Sequence, residues 1–386
     1  MNDKRRVCVV TGTRAEYGLF VPIMKKIKNS EKLQLQLVAT TMHLAPQFGL
    51  TLRQIEEDGF SVDETVENLL CADTNSSVAK STGMATILLS DVYRRLKPDI
   101  ILLLGDRYET LAAATSALLM NIPIAHIHGG ETTEGAVDEQ IRHAVTKMSH
   151  LHFTATETYR QRIVRMGEDP ARVFTVGAPG IDNILSLSLP SKKELEGSLQ
   201  WNFGERTVLF TYHPVTLSGS TPENEIDEIL NALEHTGLSV LFTYANADEG
   251  GYVINEAIEK FCRKDPHKYK AVKSLGQKRY LAAMKYADIL VGNTSSGIIE
   301  AASFKKPVVN IGDRQRGRLR SDNTIDCRLD EIEKAIRKAL SADFQKRCKN
   351  IKNIYGDGHA SERIVEVLEK SDLSVRKSFY EPKSIK

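Results

Sequence analysis

The segment Asp99-Ile-Ile-Leu-Leu-Leu-Gly105 restricts the fold more than any other. An apolar run of that length, unbroken by alternating polar residues, reads as a strand buried on both faces, as in parallel sheets. Asp106 and Arg107 fall just past its C-terminal end, the edge at which open α/β sheets bind ligands. A helical stretch rich in Ala and Leu, 109–119, leads to a second buried run, Pro123-Ile-Ala-His-Ile-His128, which stops at Gly129-Gly130. Strand periodicity puts His126 and His128 on one face, with His128 at the mouth. Glu131, Glu134, Asp138 and Glu139 follow, then Arg142 and His143 on a predicted helix. Two consecutive strand ends thus bring carboxylates, an arginine and imidazoles to one rim.

The alternation continues in both directions. Residues 5–10 form a strand whose end, Thr11-Gly12-Thr13-Arg14, turns into a helix running to about Lys28. Further strands are expected at 33–40, 150–155 and 172–179, with helices between them, which demands parallel pairing through helical crossovers. His43, in the loop after the second strand, reads as a satisfied loop histidine. The pattern breaks between about Leu185 and Arg206, and a second βα series begins at Thr207. Its strands end in His213, in Asn246, in Asn293 and in Asp313-Arg314. The expected class is α/β: two Rossmann-like doubly wound domains, 1–187 and 207–370, facing across a cleft. Residues 188–206 are read as linker and 371–386 as a loosely held tail, and 386 residues suffice for two full cores.

Composition removes several function classes. Lys plus Arg is 52 and Asp plus Glu 50, so no net field favours nucleic acid or a membrane, and neither is an expected partner. Aromatic content of 6% with one tryptophan, Trp201, argues against a base-stacking surface. Five cysteines without a C-x-x-C pair fit a reduced compartment, and no signal-peptide pattern or long apolar span is present; a cytoplasmic location is the expectation. His126, His128, His143, His150 and His152 lack a recognised ligand spacing, so no metal is expected. Neither G-x-S-x-G nor G-x-G-x-x-G occurs in the relevant places.

The remaining residues point to a nucleotide sugar. Hydroxyls, glycine and free N–H groups at Thr294, Ser295, Ser296 and Gly297 make an anion cradle at a helix start. Arg14 and Arg314 offer planar forks for phosphate oxygens. Glu300 suits ribose hydroxyls better than phosphate. Asp106, Glu131 and Asp138 are acids at strand ends, where burial and repulsion raise a pKa enough for proton transfer.

Eight motifs in order, TGTRAEYG at Thr11, GDRYE at Gly105, HIHGGE at His126, DEQIRHAVTKMSH at Asp138, YHPVT at Tyr212, NADEGG at Asn246, GNTSSGIIEA at Gly292 and NIGDRQRGR at Asn310, carry a resemblance. The chain resembles the hydrolysing UDP-N-acetylglucosamine 2-epimerases of the sialic and legionaminic acid pathways, which have the GT-B fold. The resemblance implies Arg14, His213, Asn246, Thr294, Ser295, Glu300 and Arg314 as the UDP site. Gly18, Arg107, Ser296 and Gly297, within the same motifs, join the substrate-binding set. It implies Asp106 and Asp138 as catalytic acids. Many relatives carry Glu where this chain has His128, so His128 or Glu131 takes that acid/base duty. The implied reaction converts UDP-N-acetylglucosamine and water to N-acetylmannosamine and UDP through a 2-acetamidoglucal, without metal or nicotinamide. The same reaction on UDP-N,N'-diacetylbacillosamine is the alternative, a glycosyltransferase or nucleotide-sugar sensor a more distant one. A homo-oligomer, dimer or tetramer, is expected from the same resemblance.

Overall fold

The computed structural model describes residues 4–46, 50–70, 74–132, 137–214, 221–245 and 251–381. The chain divides into two compact units, 1–183 with 355–386, and 184–354.

In the first unit the described strands are β1 (Arg5–Thr11), β2 (Leu33–Thr40), β3 (Glu64–Val66), β4 (Ile100–Leu104), β5 (Ile124–Ile127), β6 (Leu151–Thr154) and β7 (Val173–Thr175). They form one parallel sheet in the order β3-β2-β1-β4-β5-β6-β7. The crossovers are α1 (Arg14–Asn29), α2 (Leu52–Glu57), α3 (Asn75–Leu96), α4 (Tyr108–Leu119), α5 (Val137–Met148) and α6 (Glu157–Arg165). Period-two alternation builds two cores from each strand. Val7, Val9, Ile100 and Leu102 join Phe20, Ile23 and Ile27 of α1 on one face. Cys8, Val10, Ile101 and Leu103 join Leu89 and Tyr93 of α3 and the alanines of α4 on the other. Small residues on α4 let that helix lie close to the sheet.

The chain passes between units within α7 (Pro179–Ser186). The second unit holds β8 (Thr207–Thr211), β9 (Ser239–Thr243), β10 (Tyr269–Val272), β11 (Ile289–Gly292), β12 (Val308–Ile311) and β13 (Thr324–Cys327), parallel in the order β10-β9-β8-β11-β12-β13. Its helices are α8 (Lys192–Leu199), α9 (Pro222–Thr236), α10 (Gly251–Cys262), α11 (Gly276–Tyr286), α12 (Ser295–Ile299), α13 (Ile332–Ala339) and α14 (Ala342–Asn350). In each sheet the winding direction reverses once, between β1 and β4 and between β8 and β11. Such reversals open a crevice at the carboxyl ends of the strands.

Three expectations need correction. The stretch read as linker contains α8, opened by a Ser191–Glu194 capping box, and Leu195, Leu199, Trp201 and Phe203 lie in the second unit's core. Its low strand and helix periodicity had masked a short capped helix. The last helix, α15 (Ala360–Lys370), belongs to the first unit instead of the second: Ile364, Val365 and Leu368 pack with Val7, Phe20 and Ile27. An amphipathic helix carries no record of which core will bury it. The described part of the tail, 371–381, is tied down at Lys377. Glu168 binds Lys147 at 2.5 Å, Lys377 at 2.7 Å and His152 at 3.0 Å, while Lys377 donates to the carbonyls of Lys147 and Ser149. Among the described residues no helix is long and apolar enough to cross a membrane.

Candidate active site

The rim of the first unit begins where β1 ends. Thr13 caps α1 by accepting from the Glu16 amide, so Arg14 stands exposed in the first helical turn. Gly12 donates to Glu16 Oε2 at 2.9 Å. Burial, with the Glu109 charge nearby, pushes the Glu16 carboxyl up to about 8. Beyond β4, Gly105 takes a φ of +81° and turns the chain so that Asp106 and Arg107 precede α4. Arg107 forms a two-pronged pair with the buried Glu109, both contacts at 3.2 Å. Asp106 accepts from Arg142, a buried residue of α5.

The end of β5 supplies the second half of the rim. His128 has a φ of +66°, a left-handed conformation that costs a residue with a Cβ, and its Nδ1 lies 2.6 Å from Oε1 of the buried Glu131. Gly130, φ +75°, permits this turn: a Cβ there would meet the Tyr159 carbonyl at 2.6 Å. That contact ties His128 and Glu131 together and leaves Nε2 as the ring nitrogen not engaged in it. Asp138, at the start of α5, is raised by burial and partly offset by the Arg107 charge, which places those two groups within each other's field. His143 Nε2 lies 3.1 Å from Glu139.

Other histidines serve the fold. His126 donates from Nε2 to Gly105 O at 2.7 Å, and burial drives its pKa down to about 3. His43 uses both ring nitrogens on Thr11 and Thr51, as a satisfied loop histidine should. His152 is bound to Glu168. Among the described residues no group of His, Cys, Asp and Glu is placed to hold a metal ion.

The second unit builds its rim at the β8/β11 reversal. His213 and Asn293 exchange two hydrogen bonds, both at 2.8 Å: the His213 amide donates to Asn293 Oδ1 and Asn293 Nδ2 donates to His213 O. Gly292 is required beside them, because a Cβ there would lie 1.8 Å from Thr211 O. Thr294 caps α12 by accepting from the Ser296 amide, and Ser296 Oγ lies 2.7 Å from the Tyr280 hydroxyl. Ser295 and Gly297 complete that first turn. Arg314 and Gln315 both donate to the Asn293 carbonyl, at 3.4 and 2.9 Å. Glu300 stands at the C-terminal cap of α12, a helix of five residues. Burial raises its carboxyl to about 7.

So Asp106, Arg107, His128, Glu131 and Asp138 come to one rim with Arg14 and Gly18 on the neighbouring helix. His213, Thr294, Ser295, Ser296, Gly297, Glu300 and Arg314 come to another. Asn246 lies outside the described residues, as does Glu134. Sequence reading missed the anchoring roles of Arg142, Asn293 and Gln315; each sits inside a quoted motif, but its partner is far along the chain.

Comparison with known proteins bears on the family and the fold. A family model described as UDP-N-acetylglucosamine 2-epimerase matches residues 25–369. The chain is 43% identical to a GDP/UDP-N,N'-diacetylbacillosamine 2-epimerase (hydrolyzing) of Campylobacter jejuni, over 89% of each chain. It is 38% identical to the UDP-N,N'-diacetylbacillosamine 2-epimerase (hydrolyzing) of Legionella pneumophila, over 94% of this chain and 95% of that one. The crystal structure of UDP-GlcNAc 2-epimerase from Neisseria meningitidis bound to UDP-GlcNAc superposes with a TM-score of 0.80 at 22% identity, covering 95% of this chain and all of that one, which shows the fold.

Proposed function

The chain belongs to the UDP-N-acetylglucosamine 2-epimerase family, and from that premise we propose that it hydrolyses and epimerises UDP-N,N'-diacetylbacillosamine. This corrects the order of the two substrates expected from sequence, where UDP-N-acetylglucosamine came first: both relatives described above are named for the diacetylated sugar.

The observation that carries the chemistry is the meeting of Asp106–Arg142, His128–Glu131 and Asp138–Arg107 around consecutive strand ends. The C1–O bond breaks and its electron pair leaves with UDP. The C2 proton passes to a base of the rim, leaving a C1=C2 glucal. Water then adds hydroxyl to C1, and a proton returns to C2 on the opposite face. C2 is not adjacent to a carbonyl, so C1–O cleavage runs ahead and positive charge develops on the ring. The Asp106 carboxylate stabilises that charge. Asp138, with its raised pKa, and the His128–Glu131 pair exchange the protons. His213, Arg314 and the Thr294–Ser295 turn receive the diphosphate, Glu300 accepts from ribose, and Arg14 offers its fork to an anion.

Proton NMR in heavy water tests the reading. UDP-N,N'-diacetylbacillosamine should give UDP and a 2-epimeric free sugar carrying deuterium at C2, faster than UDP-N-acetylglucosamine does. UDP release without deuterium at C2 would end the proposal; a faster rate on UDP-N-acetylglucosamine would reverse the substrate order.

A further inference from the structure

At the β1/β4 reversal lies a cavity of about 490 Å³, within the range of ligand sites. Leu19, Met42, Ala15 and Leu104 line it together with the charged Arg14, Asp106 and Arg107. Its hydroxyls also bond within the protein: Thr13 accepts from the Glu16 amide at 3.3 Å, and Thr51 lies 2.7 Å from His43 Nδ1. The Glu16 carboxyl, with one oxygen bound by Gly12, holds its proton near neutral pH and adds no charge. Met42 is delivered by a strained turn. Thr41, β-branched, takes a φ of +55°, held by its bond to Asn68 at 3.0 Å and by Met42 N donating to Gly12 O at 3.1 Å. The strain brings a long, adaptable apolar side chain beside the reacting acids.

We propose that this cavity seats the C4–C6 end of the hexose, and that Met42 and Leu19 make the enzyme favour a 6-methyl sugar over one with a 6-hydroxyl. The idea rests on the epimerase reading and adds the residues that choose the sugar. A methyl group gains contact with the Leu19 and Met42 side chains, whereas a hydroxyl set against those two side chains gives up water without gaining a bond from them.

The matched pair UDP-2-acetamido-2,6-dideoxyglucose and UDP-N-acetylglucosamine differs only at C6. The native enzyme should prefer the former by about 10–100-fold in kcat/KM, the usual span for one such group in an apolar pocket. Met42→Gln and Leu19→Asn should each cut that ratio about tenfold, with deuterium still entering C2. An unchanged ratio in both variants overturns the cavity's role and leaves the epimerase reading intact. A second readout does not need turnover: in protein carrying ¹³C-methyl methionine, with the Met42 signal assigned through Met42→Leu, the 6-deoxy sugar nucleotide should shift that signal and UDP alone should not. No shift refutes the proposal even if the epimerase reading holds. A shift without C2 exchange keeps the cavity assignment and refutes the reaction.

Discussion

At the residue scale the acids are distinguished by their partners. Asp106 is tied to a buried guanidinium 36 positions later, so Asp106→Asn keeps the shape and removes the charge. Turnover should fall by about 10²–10⁴, the usual range for one acid/base or electrostatic group, while UDP affinity measured by calorimetry stays. Arg314→Ala should do the reverse, weakening UDP first. If His128 and Glu131 work as a pair, His128→Ala, Glu131→Gln and the double variant should lose comparable amounts of kcat, and an additive double variant would separate them. Glu300 gives a pH signature. Its folded pKa, about 7, exceeds the ordinary 4.5, so the native state holds the proton more tightly than the unfolded chain. Stability from this group is present below pH 4.5 and lost as pH rises through 7. Melting curves of Glu300→Gln should therefore gain on the native protein between those limits.

At the scale of elements the rims depend on turns that accept no side chain. Gly130→Ala would add a Cβ 2.6 Å from Tyr159 O in a left-handed conformation, and the conformation alone costs roughly 1–2 kcal/mol. Denaturant melts should show at least that loss, with the His128–Glu131 geometry and kcat affected together. The capped helix α8 was hidden because its signal is a Ser–Glu pair three apart rather than a long apolar stripe. The strands were plain for the opposite reason: β4 is an unbroken apolar run and β5 departs from one only at His126, a pattern that two-sided burial explains.

At the scale of the molecule, burial of neutral imidazoles sets a lower pH limit. His126 and His43 have folded pKa values of about 3 and 4, below the ordinary 6.5, so the unfolded chain binds protons that the native state refuses. Stability is whole above pH 6.5 and falls as pH drops toward 4, to be read from thermal melts at fixed ionic strength. The C-terminal segment belongs to the same scale. Removing residues after Ser371 deletes Lys377 and leaves Glu168 one cation short, and the melting temperature should drop although no rim residue is touched.

What the sequence by itself determined is local and chemical. Apolar runs, turn glycines and polar residues at strand ends specify two doubly wound sheets and name Asp106, His128, Glu131, Asp138, His213 and Thr294 as rim residues, because periodicity and turn chemistry depend on near neighbours. Only the tertiary structure decided the pairings. Arg142 reaches Asp106, Asn293 locks His213 across 80 positions, His126 is spent on Gly105, and the last helix closes the first core. Those choices follow from which packing gives most buried polar groups and apolar faces a partner, a condition set by the whole chain.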